Sequence, residues 1–189
     1  MRWFGFGRRK APAPAVAVQD LDAYIELLRS KGWNVELTYG GPLTLDPSFT
    51  SRYPRIPEGY LQFLQKVASC VNPDETVWFL CAADYNGTSD SQWSWNEFEK
   101  MVLEDEDDED LRSEVVSFWD NHLPFMYSVS GEYAYLAFRV TGDSLDSVVD
   151  GYELQTEVSD LAPTFEDFLR LHAAAVQGDF GKTVLGDYV

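Results

Sequence analysis

The amino-acid sequence predicts a single α+β domain in which helices pack on an antiparallel or mixed sheet. Helical patterns dominate the first two thirds of the chain, alternating strands follow after residue 130, and a last helical pattern comes near the end. A length of 189 residues suits one domain, and 12 Phe, 10 Tyr and 6 Trp supply apolar surface for a core. So rich an aromatic content excludes a disordered acidic chain.

Five segments combine apolar residues at helical spacing with a residue that can begin or end a helix. They predict helices at residues 20–31, at 57–70, from Ser94 to the acids that begin at Glu104, at 111–121 and at 164–177. In the first of these, Asp20 can cap the amino end and Gly32 follows as a stop signal. In the third, Ser94 and Glu97 form a capping box.

Shorter runs with a different pattern predict strands. A mostly apolar run at 76–83 indicates a buried strand that enters a turn, and residues 33–37 alternate so weakly that they are strand or loop. Residues 133–140 and 147–153 alternate with a period of two and are separated by turn residues, which predicts a meander. Three glycines after residue 177 predict a loose tail.

Composition divides the chain into three parts. Residues 1–19 form a predicted flexible basic arm with a Pro/Ala linker, residues 20–177 form the domain, and residues 178–189 form the tail. The bases of the arm are Arg2, Arg8, Arg9 and Lys10. Removing these four from the net charge of −18 leaves −22 for the remaining residues. Aromatic residues among the bases leave contact with a membrane surface or a partner open as the alternative to terminal disorder.

The charge of the chain limits its partners. A net charge of −18 excludes a nucleic acid, because nucleic-acid binding depends on Lys and Arg side chains that displace phosphate counterions. A basic protein is the complementary partner, and the sequence predicts no particular oligomeric state. We find no convincing signal peptide and no apolar stretch near the roughly 18 residues of a membrane-spanning helix. We therefore predict a cytoplasmic protein without a transmembrane segment.

Seven consecutive acids separate two of the predicted helices. They are Glu104, Asp105, Glu106, Asp107, Asp108, Glu109 and Asp110. Their mutual repulsion forbids burial, which predicts a solvated loop or helix end, and the functional interpretation is an anionic surface that steers a basic protein. Trp93, Trp95 and Tyr85 are candidate desolvated anchors for the same partner. Core packing is the alternative for either Trp, and turn chemistry is the alternative for Tyr85.

Residues that catalysis or metal binding would need are scarce. The two histidines, His122 and His172, lie where an ordinary structural role suffices, without a spaced nucleophile or acid partner. Asp110 stands where a calcium loop needs glycine, and Cys70 and Cys81 fit reduced, buried thiols. We predict no enzyme activity, catalytic residue, metal site or cofactor. A hydrolase or metal enzyme that uses clustered carboxylates is the alternative from another class.

The order of five short motifs resembles that of the SUKH superfamily, which includes killer-toxin-resistance-type regulators and many bacterial immunity proteins. The motifs lie at residues 56–64 (IPEGYLQFL), 123–125 (LPF), 131–136 (GEYAYL), 147–150 (SVVD) and 161–169 (LAPTFEDFL). The resemblance covers residues 20–175. It departs after Val67, where the usual Asn-Gly-Gly is missing, and at the acidic run.

This resemblance implies an α+β fold, no catalysis and a protein-binding role. Many members of the superfamily neutralise a toxin domain such as a nuclease. The leading hypothesis is therefore an immunity protein that binds a basic toxin domain. An intracellular scaffold or regulator without a toxin partner is the rival hypothesis.

Overall fold

A computed structural model describes residues 20–153, 156–181 and 184–189. The predicted basic arm at residues 1–19 lies outside the described residues. The helices are α1 (Leu21–Ser30), α2 (Pro47–Arg52), α3 (Glu58–Lys66), α4 (Ala82–Tyr85), α5 (Glu97–Asp105), α6 (Glu109–Asn121) and α7 (Phe165–Val176). The strands are β1 (Asn34–Leu37), β2 (Val67–Val71), β3 (Val77–Phe79), β4 (His122–Ser128), β5 (Ala134–Arg139), β6 (Val148–Tyr152) and β7 (Val158–Ala162). A short 3₁₀ helix at Leu185–Tyr188 follows.

The seven strands form one antiparallel sheet in which strand order equals chain order. Each strand pairs with the next one along the chain, from β1 at one edge to β7 at the other. The predicted α+β class is therefore confirmed, and the sheet is antiparallel. The predicted meander after residue 130 is also confirmed, as part of a longer one.

Helices cover the two faces of the sheet unequally. On the first face, which we call the core face, α1, α3 and α7 bury aromatic side chains of the strands. Phe125 of β4, for example, packs 5.2 Å from Phe168 of α7, measured between ring centroids. On the opposite face, which we call the second face, Phe98 of α5 packs 4.8 Å from Tyr127 of β4, and Trp119 of α6 packs 4.8 Å from Tyr135 of β5. Helices α5 and α6 therefore cover the middle of the second face.

Two predicted elements have different bounds in the structure. The helix predicted at 57–70 ends at Lys66, and Val67–Val71 forms β2 instead. Pairing with β1 explains the change, because Val67 and Cys70 bury their side chains in the core while the backbone of this segment joins the sheet. The run at 76–83 forms a strand only over Val77–Phe79 and then begins the helical turn α4.

Two further strands were not predicted. Strand β4 follows α6 directly and contains Pro124, whose missing N–H argues against a central strand. The structure accommodates this proline at an irregularity in the pairing of β4 with β5, where the register shifts between Pro124 and Met126. Strand β7 is the other edge of the sheet, and its residues are mostly exposed or half-buried, so they give a weak apolar signal.

The prediction of a loose tail is wrong for the end of the chain. Leu185 and Tyr188 are fully buried. The Tyr188 hydroxyl donates a hydrogen bond to Oδ1 of Asp150 (2.6 Å), and the Tyr188 carbonyl accepts one from Nε2 of His172 (2.7 Å). Two large side chains that enter the core outweigh the flexibility of the nearby glycines.

We expect Gly151→Ala to destabilise the fold by about 2 kcal/mol, the usual cost of overpacking a filled core. Gly151 of β6 pairs with Tyr135 of β5, and a Cβ atom at this position would overlap the Tyr135 ring and its hydroxyl oxygen. Chemical denaturation measures the loss. The matched control is Gly131→Ala, whose Cβ meets nothing within 4 Å and is expected to change stability by less than about 0.5 kcal/mol. Equal losses in the two variants would contradict the packing argument.

Candidate functional site

The structure places Tyr85 in the core, so its prediction as a partner-contacting anchor is wrong. Its side chain is 2% exposed. Its hydroxyl donates a hydrogen bond to the carbonyl of Pro124 (2.8 Å) and lies 2.7 Å from the hydroxyl of Tyr60. Burial raises the pKa of Tyr85 well above its ordinary value. Tyr85 is buried because it lies at the end of the helical turn α4, which follows closely after β3 and directs this side chain inward.

Trp95 is half-buried and joins α2 to the rest of the domain. Its ring centroid lies 5.3 Å from that of Phe49 and 5.9 Å from that of Tyr53. The guanidinium of Arg52 lies 5.8 Å from the same ring. A ring enclosed on these sides offers a partner little area, so the structure favours the packing alternative for Trp95.

Trp93 is half-buried at the border between α5 and the open part of the second face. It packs edge-to-face on Trp78 of β3, with centroids 5.7 Å apart, and on Tyr133, at 5.2 Å. Its other side lines a groove described below. Trp93 is therefore the one predicted anchor that the structure leaves beside a concave surface.

The seven acids form the end of α5, a three-residue link at 106–108 and the start of α6. All are exposed except Glu106, which is half-buried, so the prediction of a solvated loop or helix end is confirmed. Asp108 caps α6 by accepting from the backbone N–H of Asp110 (2.9 Å), and Arg112 donates to the Leu103 carbonyl (2.6 Å) across the link. We call this segment, residues 104–110, the acidic turn.

A groove of about 610 Å³ lies on the second face. It lies over β1, β2 and β3, which α5 and α6 leave uncovered. Its carboxylates belong to Glu36, Glu75, Asp84 and Asp90, and its aromatic side chains belong to Trp78 and Trp93. None of the described residues that line it is Lys or Arg. We call this surface the anionic groove.

Strand pairing explains how the groove residues come together. Trp78 of β3 pairs directly with Val71 of β2, and Val71 pairs with Asn34 of β1, so these three side chains share a face. Glu36 lies two residues beyond Asn34 on the same strand and points to the same side. Because Val77 and Phe79 fill the core face, Trp78 must lie on the second face. Its indole N–H is buried without an acceptor among the described residues.

The groove carboxylates differ in what surrounds them. Asp84 is partly buried and accepts a hydrogen bond from the backbone N–H of Cys81 (2.7 Å), and the net effect of its burial is a raised pKa. Glu36, Glu75 and Asp90 are all exposed. None of the ion pairs formed between described residues uses a groove carboxylate. The groove therefore presents uncompensated negative charge beside two indole rings.

The acidic turn and the anionic groove both lie on the second face of the sheet, but none of residues 104–110 lines the groove. Trp93, just before α5, packs on Trp78 of β3, and Val102, near the other end of α5, lines a small cavity with Tyr152 of β6. Helix α5 therefore leads from β3 toward β6, and the acidic turn follows its far end. The predicted site is divided: Trp93 belongs to the groove and the seven acids do not.

Both histidines have structural partners. His172 is fully buried, with Nδ1 2.6 Å from the Tyr24 hydroxyl and Nε2 directed at the Tyr188 carbonyl, and burial lowers its pKa to about 4. His122 stacks on Phe118, and its Nδ1 lies 2.8 Å from the Phe118 carbonyl. Over residues 20–153, 156–181 and 184–189, no group of three or more His, Cys, Asp or Glu side chains is arranged to hold a metal ion. Over the same residues, no helix is both long and apolar enough to cross a membrane.

Sequence reasoning missed the anionic groove because its members are far apart in the chain. Glu36, Glu75 and Asp90 become neighbours only when β1, β2 and β3 pair in the observed register. One signal was available: Trp78 stands between two apolar residues in a strand, and alternation places it on the opposite face from both. Compared with known proteins, the chain matches no family model and no curated protein. The resemblance to the SUKH superfamily therefore stays a prediction.

Proposed function

We propose that this chain is a non-catalytic module that binds a basic protein in the anionic groove. The observation that carries the proposal is the groove itself, with four carboxylates, two indole rings and no lining Lys or Arg among the described residues. A cationic side chain that enters the groove meets carboxylates and the indole rings of Trp78 and Trp93. Cations bind such aromatic faces with about 0.5–2 kcal/mol.

The partner class that this chemistry favours is a basic toxin domain, and a nuclease is the leading candidate. A nuclease must present basic surface to its nucleic acid, and a strongly acidic protein can occupy that surface. The net charge of −18 supports such a role, and so does the motif order that resembles the SUKH superfamily, whose members include immunity proteins. The chain is then an immunity protein that neutralises its partner by covering the basic surface.

The acidic turn has a separate role in this proposal. Six of its seven acids are exposed and none of the seven lines the groove, so they attract a basic protein from solution without being buried in the contact. Electrostatic attraction of this kind raises association rates by about tenfold or more at low salt and is screened at high salt. Trp93 and the groove carboxylates are buried by the partner and govern dissociation.

Two matched triple variants test this division. The groove variant is Glu36→Gln/Glu75→Gln/Asp90→Asn, which spares the structural Asp84. The turn variant is Asp105→Asn/Asp107→Asn/Asp108→Asn, in which Asn still caps α6. Each removes three negative charges, so a difference between them reports position and not net charge.

We expect the groove variant to dissociate from the basic partner at least about tenfold faster, and the turn variant to associate more slowly with a flatter salt dependence. The partner is recovered by affinity purification from the source cells, identified by mass spectrometry, purified and measured by surface plasmon resonance. If it is a nuclease, equimolar wild-type chain should block cleavage of nucleic acid, and the groove variant should not. An acidic partner, or a groove variant with the wild-type dissociation rate, would contradict the proposal.

A further inference from the structure

We infer that the anionic groove binds residues 1–10 of the same chain, so that the basic segment occupies the site when no partner is present. This inference concerns the groove described above, and only its competition with a partner rests on the proposed function. It stands on three observations: complementary charge, complementary aromatic content and the position at which the chain enters the described domain.

The first observation is charge. Residues 1–10 (MRWFGFGRRK) contain four bases and no acid, whereas the groove has four carboxylates. Six of the described bases already form ion pairs elsewhere: Arg29, Arg52, Arg55, Lys66, Arg139 and Arg170. The segment therefore carries four positive charges, which is the number needed to compensate the four groove carboxylates.

The second observation is aromatic content. Trp3, Phe4 and Phe6 lie among the bases of the segment, and Trp78 and Trp93 line the groove. Aromatic side chains gain from burial against other rings, by about 0.5–1.5 kcal/mol per pair beyond the area term. A segment with both features matches a groove with both features, whereas the exposed acidic turn offers charge alone.

The third observation is reach. The described chain begins at Asp20, which lines one cavity together with Leu37 at the end of β1. Glu36, the neighbour of Leu37, lines the anionic groove, and β1 is an edge strand. Residues 11–19 therefore need to pass only one sheet edge, and nine extended residues span about 30 Å, three times the thickness of a sheet layer.

Paramagnetic NMR on the full chain tests the inference. A nitroxide is attached at position 5 through Gly5→Cys. Cys70 and Cys81 are buried and burial raises the pKa of both thiols, so the label enters at the new site. At low salt we expect the backbone amide signals of Glu36 and Asp90 to lose most of their intensity, and that of Asp107 in the acidic turn to keep it. The groove variant and 0.5 M salt should each restore the lost signals.

Three outcomes would overturn the inference. They are uniform or absent broadening, broadening centred on the acidic turn, and broadening of unlabelled ¹⁵N chains mixed with spin-labelled ¹⁴N chains, which would assign the contact to a second copy. The turn variant is the matched control and should leave the broadening unchanged. A negative NMR result would overturn the binding of residues 1–10 but would not change the dissociation rate that tests the proposed function. The two proposals can therefore be rejected independently. If both hold, replacing Arg8, Arg9 and Lys10 with Ser should raise the association rate of the partner.

Discussion

Arg52→Met is expected to lower the free energy of unfolding by about 4 kcal/mol, the usual cost of leaving a buried charge without its partner. Arg52 of α2 binds both carboxylate oxygens of Glu99 in α5, at 2.6 and 2.7 Å, and its Nε lies 2.8 Å from Asp120 of α6. Glu99 is 6% exposed, so its carboxylate is left poorly solvated when the guanidinium is removed. Chemical denaturation of the purified variant measures the effect.

Two further variants make this prediction specific. Arg52→Met/Glu99→Leu should recover a large part of the loss, because it removes the stranded carboxylate as well. Arg170→Met breaks an exposed ion pair with Asp167 and is expected to cost less than about 1 kcal/mol. A loss in Arg52→Met as small as that in the Arg170 control would show that the network contributes little. For the site, this means that the ion pair between Arg52 and Glu99 holds α5, the helix that follows Trp93, in place.

Acidification is expected to destabilise the fold through His172, by about 2 kcal/mol between pH 7.5 and pH 5. Burial lowers the pKa of His172 from 6.5 to about 4. Its contribution to stability is therefore fully present above pH 6.5. It is lost as the pH falls toward 4, because the unfolded chain binds the proton first. His172→Gln does not titrate, can still donate to the Tyr188 carbonyl and should abolish this loss.

Asp150 has the opposite effect on the pH dependence of stability. It accepts a hydrogen bond from the hydroxyl of Tyr188, the residue whose carbonyl bonds to His172. Burial raises the pKa of Asp150 from 3.8 to about 6, with the nearby Asp187 carboxylate contributing. The folded chain therefore takes up this proton first, and the contribution of Asp150 to stability is present below pH 3.8 and lost as the pH rises through 6. In the wild type this gain on acidification partly offsets the loss at His172.

Denaturation curves at pH 7.5 and pH 5 for the wild type and two single variants separate these effects. Asp150→Asn keeps an acceptor for the Tyr188 hydroxyl but removes the offset, so its stability should fall more steeply on acidification than that of the wild type. The stability of His172→Gln should fall less steeply. Identical pH dependence in all three proteins would exclude both groups as the source. The comparison is made between variants because the many surface acids affect all three proteins equally.

Local features of this protein were determined by the sequence itself. Asp20 caps α1 by accepting from the Ala23 N–H (2.9 Å), and Gly32 follows with φ of +90°, as the spacing predicts. Thr164 likewise accepts from the Asp167 N–H (3.1 Å) at the start of α7. The alternation that predicted a meander corresponds to β5 and β6. Each of these depends on residues within a few positions of one another, so propensity and periodicity suffice.

The anionic groove and the fates of Tyr85 and Trp95 were decided only by the tertiary structure. The predicted helix extended beyond Lys66, where α3 ends, because the apolar residues after Lys66 are compatible with a helix as well as with a strand. Only their pairing with β1 makes them a strand. The acidic turn was visible in the sequence since its charges are contiguous. The groove was not, because its carboxylates depend on sheet register and on where α5 and α6 stop covering the second face. Pairing between distant strands decides between helix and strand where the local pattern fits both, and the resulting sheet places the concave surface away from the charge run.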